Sequence, residues 1–254
     1  MNKNLINNKI KILEKKGFVT LPLDKKYLKD FKKLKMDIQS YSKKRLKCKN
    51  FSFENFHNYT LKNIELNNYR LNIINLINSK EKLKNIIYLS IKDFLDKCLG
   101  PDIIVQKNIN LTIQKPNDKN RSPFHKDGPV ASNFELVIWI PLVHCKKTMS
   151  LYLFEITKHE QAKKILIKNL NDSKVKSFSK KSGKLLDVKF GEVLIFSTNV
   201  FHYIPVNQEK KTRWSLNLRY KNLFTQYGTK NLLDYYEILK TSPVTKLLNK
   251  IETI

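Results

Sequence analysis

The sequence predicts an α+β chain whose centre, residues 101–220, is a double-sheet jelly roll, with a mostly helical part at 1–100 and a helical tail at 221–254. Three observations predict this. Apolar residues recur at helical spacing through the first hundred positions. From Ile103 the period changes from 3.6 to 2, and about eight short apolar runs then follow, separated by turn signals. No internal repeat and no linker divides the 254 residues, so a single domain, 1–254, with helical additions is the simplest organisation.

Residues 4–16 place Leu5, Ile6, Ile10 and Leu13 on one helical face, and Gly17 is the expected C-cap before a short strand, Phe18 to Pro22. Asp24 is the expected N-cap of a second helix running to about Leu46, with Tyr27, Leu28, Phe31, Leu34 and Ile38 facing inward. An aromatic-rich loop, 51–60, leads to helices near 64–78 and 80–98, the latter ended by Gly100-Pro101. Gln106 to Gln114 then alternates, with Gln106, Asn108, Asn110, Thr112 and Gln114 on one side and Ile109, Leu111 and Ile113 on the other, as a single strand would. Phe134 to Val143 is almost wholly apolar and suits a strand buried on both faces. Met149 to Ile156, Leu185 to Phe190, Val193 to Ser197 and Thr212 to Tyr220 are the remaining strands, and the Lys-rich stretch 157–183 is an irregular excursion between them.

The composition excludes several classes. No apolar run approaches the roughly 18–20 residues a membrane span needs, and the N-terminus lacks the apolar core of a signal peptide, so a soluble cytoplasmic protein is expected. Cys48, Cys98 and Cys145 are odd in number and far apart, which suggests neither a disulfide framework nor a zinc knuckle. The net charge of +27 would ordinarily suggest nucleic acid or an anionic surface, but of 49 basic residues only five are Arg (Arg45, Arg70, Arg121, Arg213, Arg219). Lys, Asn and Ile rising together while Arg falls is what an AT-rich coding sequence produces, whatever the function. The surviving Arg are correspondingly informative, because a planar fork for a carboxylate is hard to replace with an ammonium.

The chemistry concentrates in Ser122-Pro-Phe-His-Lys-Asp-Gly128. On an extended backbone residues i and i+2 share a face, so His125 and Asp127 reach one metal ion together. His202, 75 residues after Asp127, is the candidate third ligand, at the end of Gly191 to His202, a strand running into a loop. Two His and one carboxylate leave coordination positions open, the donor set of non-heme Fe(II) sites. Downstream, Arg213, Ser215, Asn217 and Arg219 alternate with apolar residues, which points two guanidiniums, a hydroxyl and an amide to one side of a strand. His57, His144 and His159 lack such partners and are treated as ordinary residues.

His125-x-Asp127, His202 and Arg213-x-Ser215, the last beginning 11 residues after His202, together resemble the 2-oxoglutarate-dependent Fe(II) oxygenases, in the branch near phytanoyl-CoA dioxygenase. Four blocks look closer still to a bacterial subgroup found in carbohydrate-biosynthesis gene clusters and related to an oxygenase of streptomycin biosynthesis. They are Gln106-x-x-Ile-Asn-Leu-x-Ile-Gln-x-Pro-x-Asp118, Ser132-x-Phe-Glu-x-Val-x-Trp-Ile-Pro-Leu-Val143, Gly191-Glu-Val-Leu-Ile-Phe196 and Arg213-Trp-Ser-Leu-Asn-Leu-Arg-Tyr-Lys221. The resemblance covers about 100–240 well and the helical N-terminal part more loosely. It implies a double-stranded β-helix of cupin type, Fe(II) held by His125, Asp127 and His202, and 2-oxoglutarate and O2 as cosubstrates. It assigns Arg213 and Ser215, with Thr112 and Gln114, to the 2-oxoglutarate pocket, and Arg219, Glu135 and Asn217 to the substrate side, Arg219 either on an anionic substrate group or behind the ligands. It also implies a small, sugar-containing substrate. Because the second ligand is the carboxylate Asp127 rather than Gly or Ala, no position is free for a halide, which favours hydroxylation over halogenation. The segment Gly-Pro-Val-Ala-Ser-Asn at 128–133 is shorter and less polar than the family pattern, and leaves the exact substrate open.

Two readings from other classes compete. A nucleic-acid demethylase of AlkB type suits the charge and the Arg213 and Arg219 pair, but the spacing from His202 to Arg213 is short for it and no aromatic-rich basic lid is present. A metal-free jelly-roll binding module is the other. Oligomeric state does not follow from the sequence.

Overall fold

The helical first third packs its apolar stripes on one face of a large antiparallel sheet in this computed structural model, which describes residues 3–119, 121–128, 132–168 and 171–251. Helix α1 (Lys3–Lys16) ends at Gly17, whose φ of +84° is the left-handed conformation glycine adopts without strain. Its N–H bonds the Leu13 carbonyl at 2.6 Å and its carbonyl accepts from Ser197 N at 2.9 Å. A Cβ there would meet Val200 Cγ2 at 2.5 Å, so backbone angle and packing both select glycine. After β1 (Phe18–Pro22), Asp24 caps α2 (Lys25–Arg45) by accepting from Lys26 N at 2.8 Å, and α2 buries Phe31, Leu34 and Ile38.

Helix α3 (Asn63–Asn78) follows. The stretch 80–98 forms two helices rather than one, α4 (Leu83–Ser90) and α5 (Lys92–Leu99), broken at buried Ile91. The break has a tertiary cause: the Ser90 carbonyl accepts from Asp24 N at 3.0 Å, and the Ser90 hydroxyl turns back to the Ile87 carbonyl at 2.7 Å. The alternating run 106–114 likewise divides, into β2 (Ile103–Gln106) and β3 (Asn110–Gln114). At the division Asn78 of α3 takes both backbone groups of Ile109, at 2.7 and 3.0 Å, in place of a ladder.

Strand β4 (Glu135–Pro141) is buried throughout, as its apolar composition requires. The run 149–156 contains only a two-residue strand, β5 (Tyr152–Leu153), between short 3₁₀ turns. The Lys-rich stretch 157–183 is helical, not irregular, in α6 (His159–Ile167) and α7 (Asp172–Ser182). Their thin apolar faces, Ala162, Ile165, Val175 and Phe178, pack with Phe124, Tyr152, Phe154, Phe201 and Tyr203 into a second, smaller cluster. Then come β6 (Lys184–Leu185), β7 (Glu192–Ser197), β8 (His202–Tyr203) and β9 (Arg213–Asn222). The tail is not uniformly helical: β10 (Tyr236–Lys240) joins the large sheet before α8 (Pro243–Ile251). The chain ends at 1–2 and 252–254, and Pro129 to Ala131 of the loop after Asp127, lie outside the described residues.

The strands pair antiparallel in two sheets. The larger runs β1-β7-β4-β9-β2-β10, with β3 also on β9; the smaller runs β6-β5-β8. Isolated bridges pair His125 with His202, at the edge of the smaller sheet, and Cys145 with Val188. One face of β9, made of Trp214, Leu216, Leu218 and Tyr220, is fully buried in the large core cluster. Trp214 ties the helical layer to the sheet, edge-on to Phe51, Phe53, Phe56 and Tyr69, with its indole N–H on the Phe53 carbonyl at 2.9 Å. No helix among the described residues is long and apolar enough to cross a membrane.

Trp214→Ala is expected to lower unfolding stability by about 3–5 kcal/mol through the cavity it leaves. Trp214→Phe, which strands only the Phe53 carbonyl, should cost about 1–3 kcal/mol. Urea denaturation checks both, and equal losses would show that packing at this position is unimportant beyond the hydrogen bond.

Candidate metal centre

His125 and His202 are placed opposite one another by two backbone hydrogen bonds, His125 N to His202 O at 3.1 Å and His202 N to His125 O at 2.8 Å. This short antiparallel bridge, rather than a regular strand, carries the His125-x-Asp127 pair. The two imidazoles lie with ring centroids 4.2 Å apart. Each is turned by a carbonyl two residues before it: His125 Nδ1 lies 2.7 Å from Pro123 O, and His202 Nδ1 3.1 Å from Val200 O. A carbonyl only accepts, so both Nδ1 atoms carry a proton, and Nε2 is the nitrogen each ring offers to a ligand when it is neutral. Asp127 Oδ1 stands 3.3 Å from His125 Nε2. One ligand atom from each of the three residues lies within 4.8 Å of the others.

The electrostatics agree with a cation-binding role. Burial opposes ionisation of Asp127, but His125 and Arg219 outweigh it and hold the carboxyl well below the usual range. Burial and the neighbouring His125 push His202 down to about 4, which keeps it a neutral ligand. Burial also disfavours the charged form of His125, yet the Asp127 carboxylate wins and raises it. Two neutral imidazole nitrogens and a carboxylate oxygen fit a divalent first-row transition metal. The Phe196 ring, 5.3 Å from that of His202, forms an apolar wall beside the site.

Behind the ligands lies Arg219, with Nη2 donating to Asp127 Oδ2 at 2.7 Å and Nη1 donating to Gln106 Oε1 at 3.2 Å and to the Tyr235 hydroxyl at 3.1 Å. Its Nε stands 3.6 Å from Glu135 Oε2, and the other Glu135 oxygen accepts from the Tyr236 hydroxyl. Arg219, expected either on an anionic substrate group or behind the ligands, contacts Asp127 directly. Glu135, expected on the substrate side, is 1% exposed and lies behind Arg219. Gln106, Tyr235, Tyr236 and Phe196 were not foreseen. Only Gln106, on the polar side of an alternating run, left any signal.

Along the same face of β9 the surroundings change. The β3–β9 register sets Gln114 opposite Arg213, Thr112 opposite Ser215 and Asn110 opposite Asn217. Arg213 is 2% exposed, and no carboxylate among the described residues pairs with it within 4 Å. Its hydrogen bond to Ser150 O is long, at 3.5 Å from Nη1, and burial lowers its pKa to about 10. Arg213 Nε, Ser215 Oγ, Ser150 Oγ, Gln114 Oε1 and Asn217 Oδ1 are buried without partners. A buried guanidinium beside unused hydroxyls is costly unless an anion meets it, so this cluster fits a carboxylate ligand. Thr112, Gln114 and Arg213 line a cleft of about 600 Å³, while Asn217 is only half-buried.

No family model matches the sequence, and no curated protein matches it. Solved structures do. A non-heme monooxygenase, ThoJ, in complex with nickel is 12% identical, with 93% of this chain and 84% of that one covered at a TM-score of 0.56. HygX from Streptomyces hygroscopicus, with nickel and 2-oxoglutarate bound, is 10% identical over 92% and 91%, with a TM-score of 0.52. SnoN, a non-heme α-ketoglutarate-dependent epimerase from nogalamycin biosynthesis, is 11% identical over 89% and 86%, with a TM-score of 0.50. At these identities the likeness is one of fold: the chain shares the α+β architecture of these proteins.

If Arg219 orients Asp127, Arg219→Gln should weaken Co(II) binding about 10- to 100-fold, as loss of a ligand's supporting hydrogen bond does. Arg213→Gln should leave it near wild type. A titration of metal-free protein with Co(II), read by its visible absorption, checks this; unchanged affinity in Arg219→Gln would refute it.

Proposed function

We propose that this chain is an Fe(II)- and 2-oxoglutarate-dependent oxygenase of the phytanoyl-CoA dioxygenase-like branch, hydroxylating a small sugar or sugar-linked substrate. The observation that carries the reading is the pairing, in one chain, of a pre-oriented His125, Asp127 and His202 cluster with Arg213, a buried guanidinium with no carboxylate within 4 Å among the described residues. The fold likeness supports it, since HygX binds nickel and 2-oxoglutarate and ThoJ is a non-heme monooxygenase. In this reading the two facing sheets are a double-stranded β-helix, and the helical N-terminal part belongs to the same catalytic domain.

His125, Asp127 and His202 would hold the iron, and Arg213 with Ser215, flanked by Thr112 and Gln114, the distal carboxylate of 2-oxoglutarate. Iron, 2-oxoglutarate and O2 together supply the oxidising chemistry, converting 2-oxoglutarate to succinate and CO2 as a substrate C–H bond is oxidised. The protein's own residues position and insulate. The Pro123 and Val200 carbonyls fix the imidazole tautomers, and Arg219 keeps Asp127 ionised with one oxygen turned to the ligand cluster. Arg213 meets its carboxylate in a water-poor setting where a charge-assisted pair is strong. The Phe196 side of the sandwich keeps water from the reacting centre.

Succinate formation from 2-oxoglutarate, screened over free sugars, sugar phosphates, nucleotide sugars and methylated oligonucleotides, tests the reading. His125→Ala, Asp127→Ala and His202→Ala should each abolish iron binding and turnover while leaving the fold intact; wild-type turnover in any one would end the proposal. Arg213→Lys keeps the charge but loses the fork. An unmet buried partner costs roughly 1–3 kcal/mol, so the apparent KM for 2-oxoglutarate should rise about 5- to 150-fold with the KM of the organic substrate little changed.

A further inference from the structure

Of the five arginines in a chain that otherwise uses Lys, three line a single cleft: Arg70, Arg121 and Arg213. Arg213 is accounted for by the cosubstrate carboxylate in the function proposed above. Arg70 and Arg121 are not. They reach the cleft from different elements, Arg70 from α3 and Arg121 from the segment just before His125, and each has a buried Nε with no hydrogen-bond partner.

Arg121 is held in a fixed plane. Its Nη2 pairs with Asp172 Oδ1 at 2.6 Å, its guanidinium lies 4.8 Å from the centroid of the Tyr203 ring, and the Tyr203 hydroxyl donates to the same Asp172 oxygen at 3.0 Å. The pair uses Nη2, and Nε has no hydrogen-bond partner. Tyr203 directly follows the ligand His202, which ties the orientation of Arg121 to the strand that carries the metal centre. Asp172 is largely exposed, so water screens its charge. Asp118 shares the cleft wall, but its charge also acts on Lys115. Asn67, Ser122 and Thr112 add neutral polar groups, which suits an anion better than an aliphatic chain. At about 600 Å³ the cleft lies within the roughly 300–1,000 Å³ that accommodates drug-sized ligands, more than a five-carbon dicarboxylate fills.

We infer that Arg70 and Arg121 form a second anion site in this cleft, and that it binds a phosphate group of the organic substrate, making that substrate a phosphorylated small molecule such as a sugar phosphate or nucleotide sugar. Two forks converging from separate elements match the several oxygens of a phosphate, for which Arg is the preferred partner. The inference of a substrate rests on the oxygenase reading, whereas the anion site itself can be measured without turnover.

The experiment titrates metal-free protein with inorganic pyrophosphate by calorimetry, with and without saturating 2-oxoglutarate, and separately titrates the Mn(II)-loaded protein with 2-oxoglutarate. Expected are saturable one-to-one pyrophosphate binding that 2-oxoglutarate does not displace, a loss of roughly 10- to 100-fold in Arg70→Gln and Arg121→Gln, and a 2-oxoglutarate affinity in those variants within about twofold of wild type. Arg70→Lys, which keeps the charge and is the milder change, should retain part of the binding, and circular dichroism checks that each variant is folded. The inference is overturned if folded variants bind pyrophosphate as wild type does. It is equally overturned if 2-oxoglutarate competes with pyrophosphate, which would assign all three arginines to the cosubstrate, or if a single-stranded oligonucleotide binds more tightly than pyrophosphate and with a steeper salt dependence. Failure of the Mn(II)-loaded protein to bind 2-oxoglutarate while pyrophosphate behaves as expected would remove the oxygenase reading and support the anion site alone.

Discussion

The alternation of side chains along β9 is the constraint on which the rest of the molecule depends. Ten residues, Arg213 to Asn222, must satisfy two incompatible environments at once, and a period of two lets them do so. Trp214, Leu216, Leu218 and Tyr220 enter the core beneath the helices, while Arg213, Ser215, Asn217 and Arg219 form the opposite, polar face of the strand. A slip of one residue would send two guanidiniums into the aromatic cluster and an indole into the site. The register is pinned from both sides, by seven pairs to β4 and five to β3. The same ladder that builds the core therefore sets the spacing between the metal-ligand cluster and the Arg213 pocket.

The two arginines of that face show how environment, not residue type, assigns a role. Arg219 lies between two carboxylates, those of Asp127 and Glu135, and its charge is compensated within the protein. Arg213, six positions earlier on the same face, has no carboxylate within 4 Å among the described residues and sits among hydroxyl and amide groups without hydrogen-bond partners. A compensated guanidinium orients what it touches, whereas an uncompensated buried one is a standing demand for an anion. Glu135 completes the first arrangement. Burial raises its pKa, and its contacts with Tyr236 and Arg219 oppose that rise.

What the sequence made legible was what local period and local chemistry determine. The α1 stop at Gly17, the Asp24 cap, the buried run 135–141, the shared face of β9 and the spacing of His125, Asp127 and His202 can all be read without knowing the fold. Two of the failures share a cause, a partner distant in sequence. The run 106–114 divides because Asn78, 31 residues before Ile109, takes that backbone, and the helix at 80–98 breaks because Asp24 takes the Ser90 carbonyl. In the tail, β10 carries too few residues to show alternation against its flanks. The positions of Arg70 and Arg121 follow from how α3 lies over the β3 edge, which no window of sequence contains.

The C-terminal strand β10 has one more consequence, which concerns time. It pairs with β2 and brings Tyr235 to Arg219 and Tyr236 to Glu135, so the support for the Asp127 ligand is finished by a segment made after every ligand and every β9 residue. During synthesis on the ribosome, His125, Asp127, His202 and Arg219 all emerge before the two tyrosines do. Until β10 closes on β2, the outer edge of β2 is unpaired, and neither Arg219 nor Glu135 has its tyrosine partner. The cluster behind Asp127 thus reaches its final arrangement only after β10 has been made and has closed on β2.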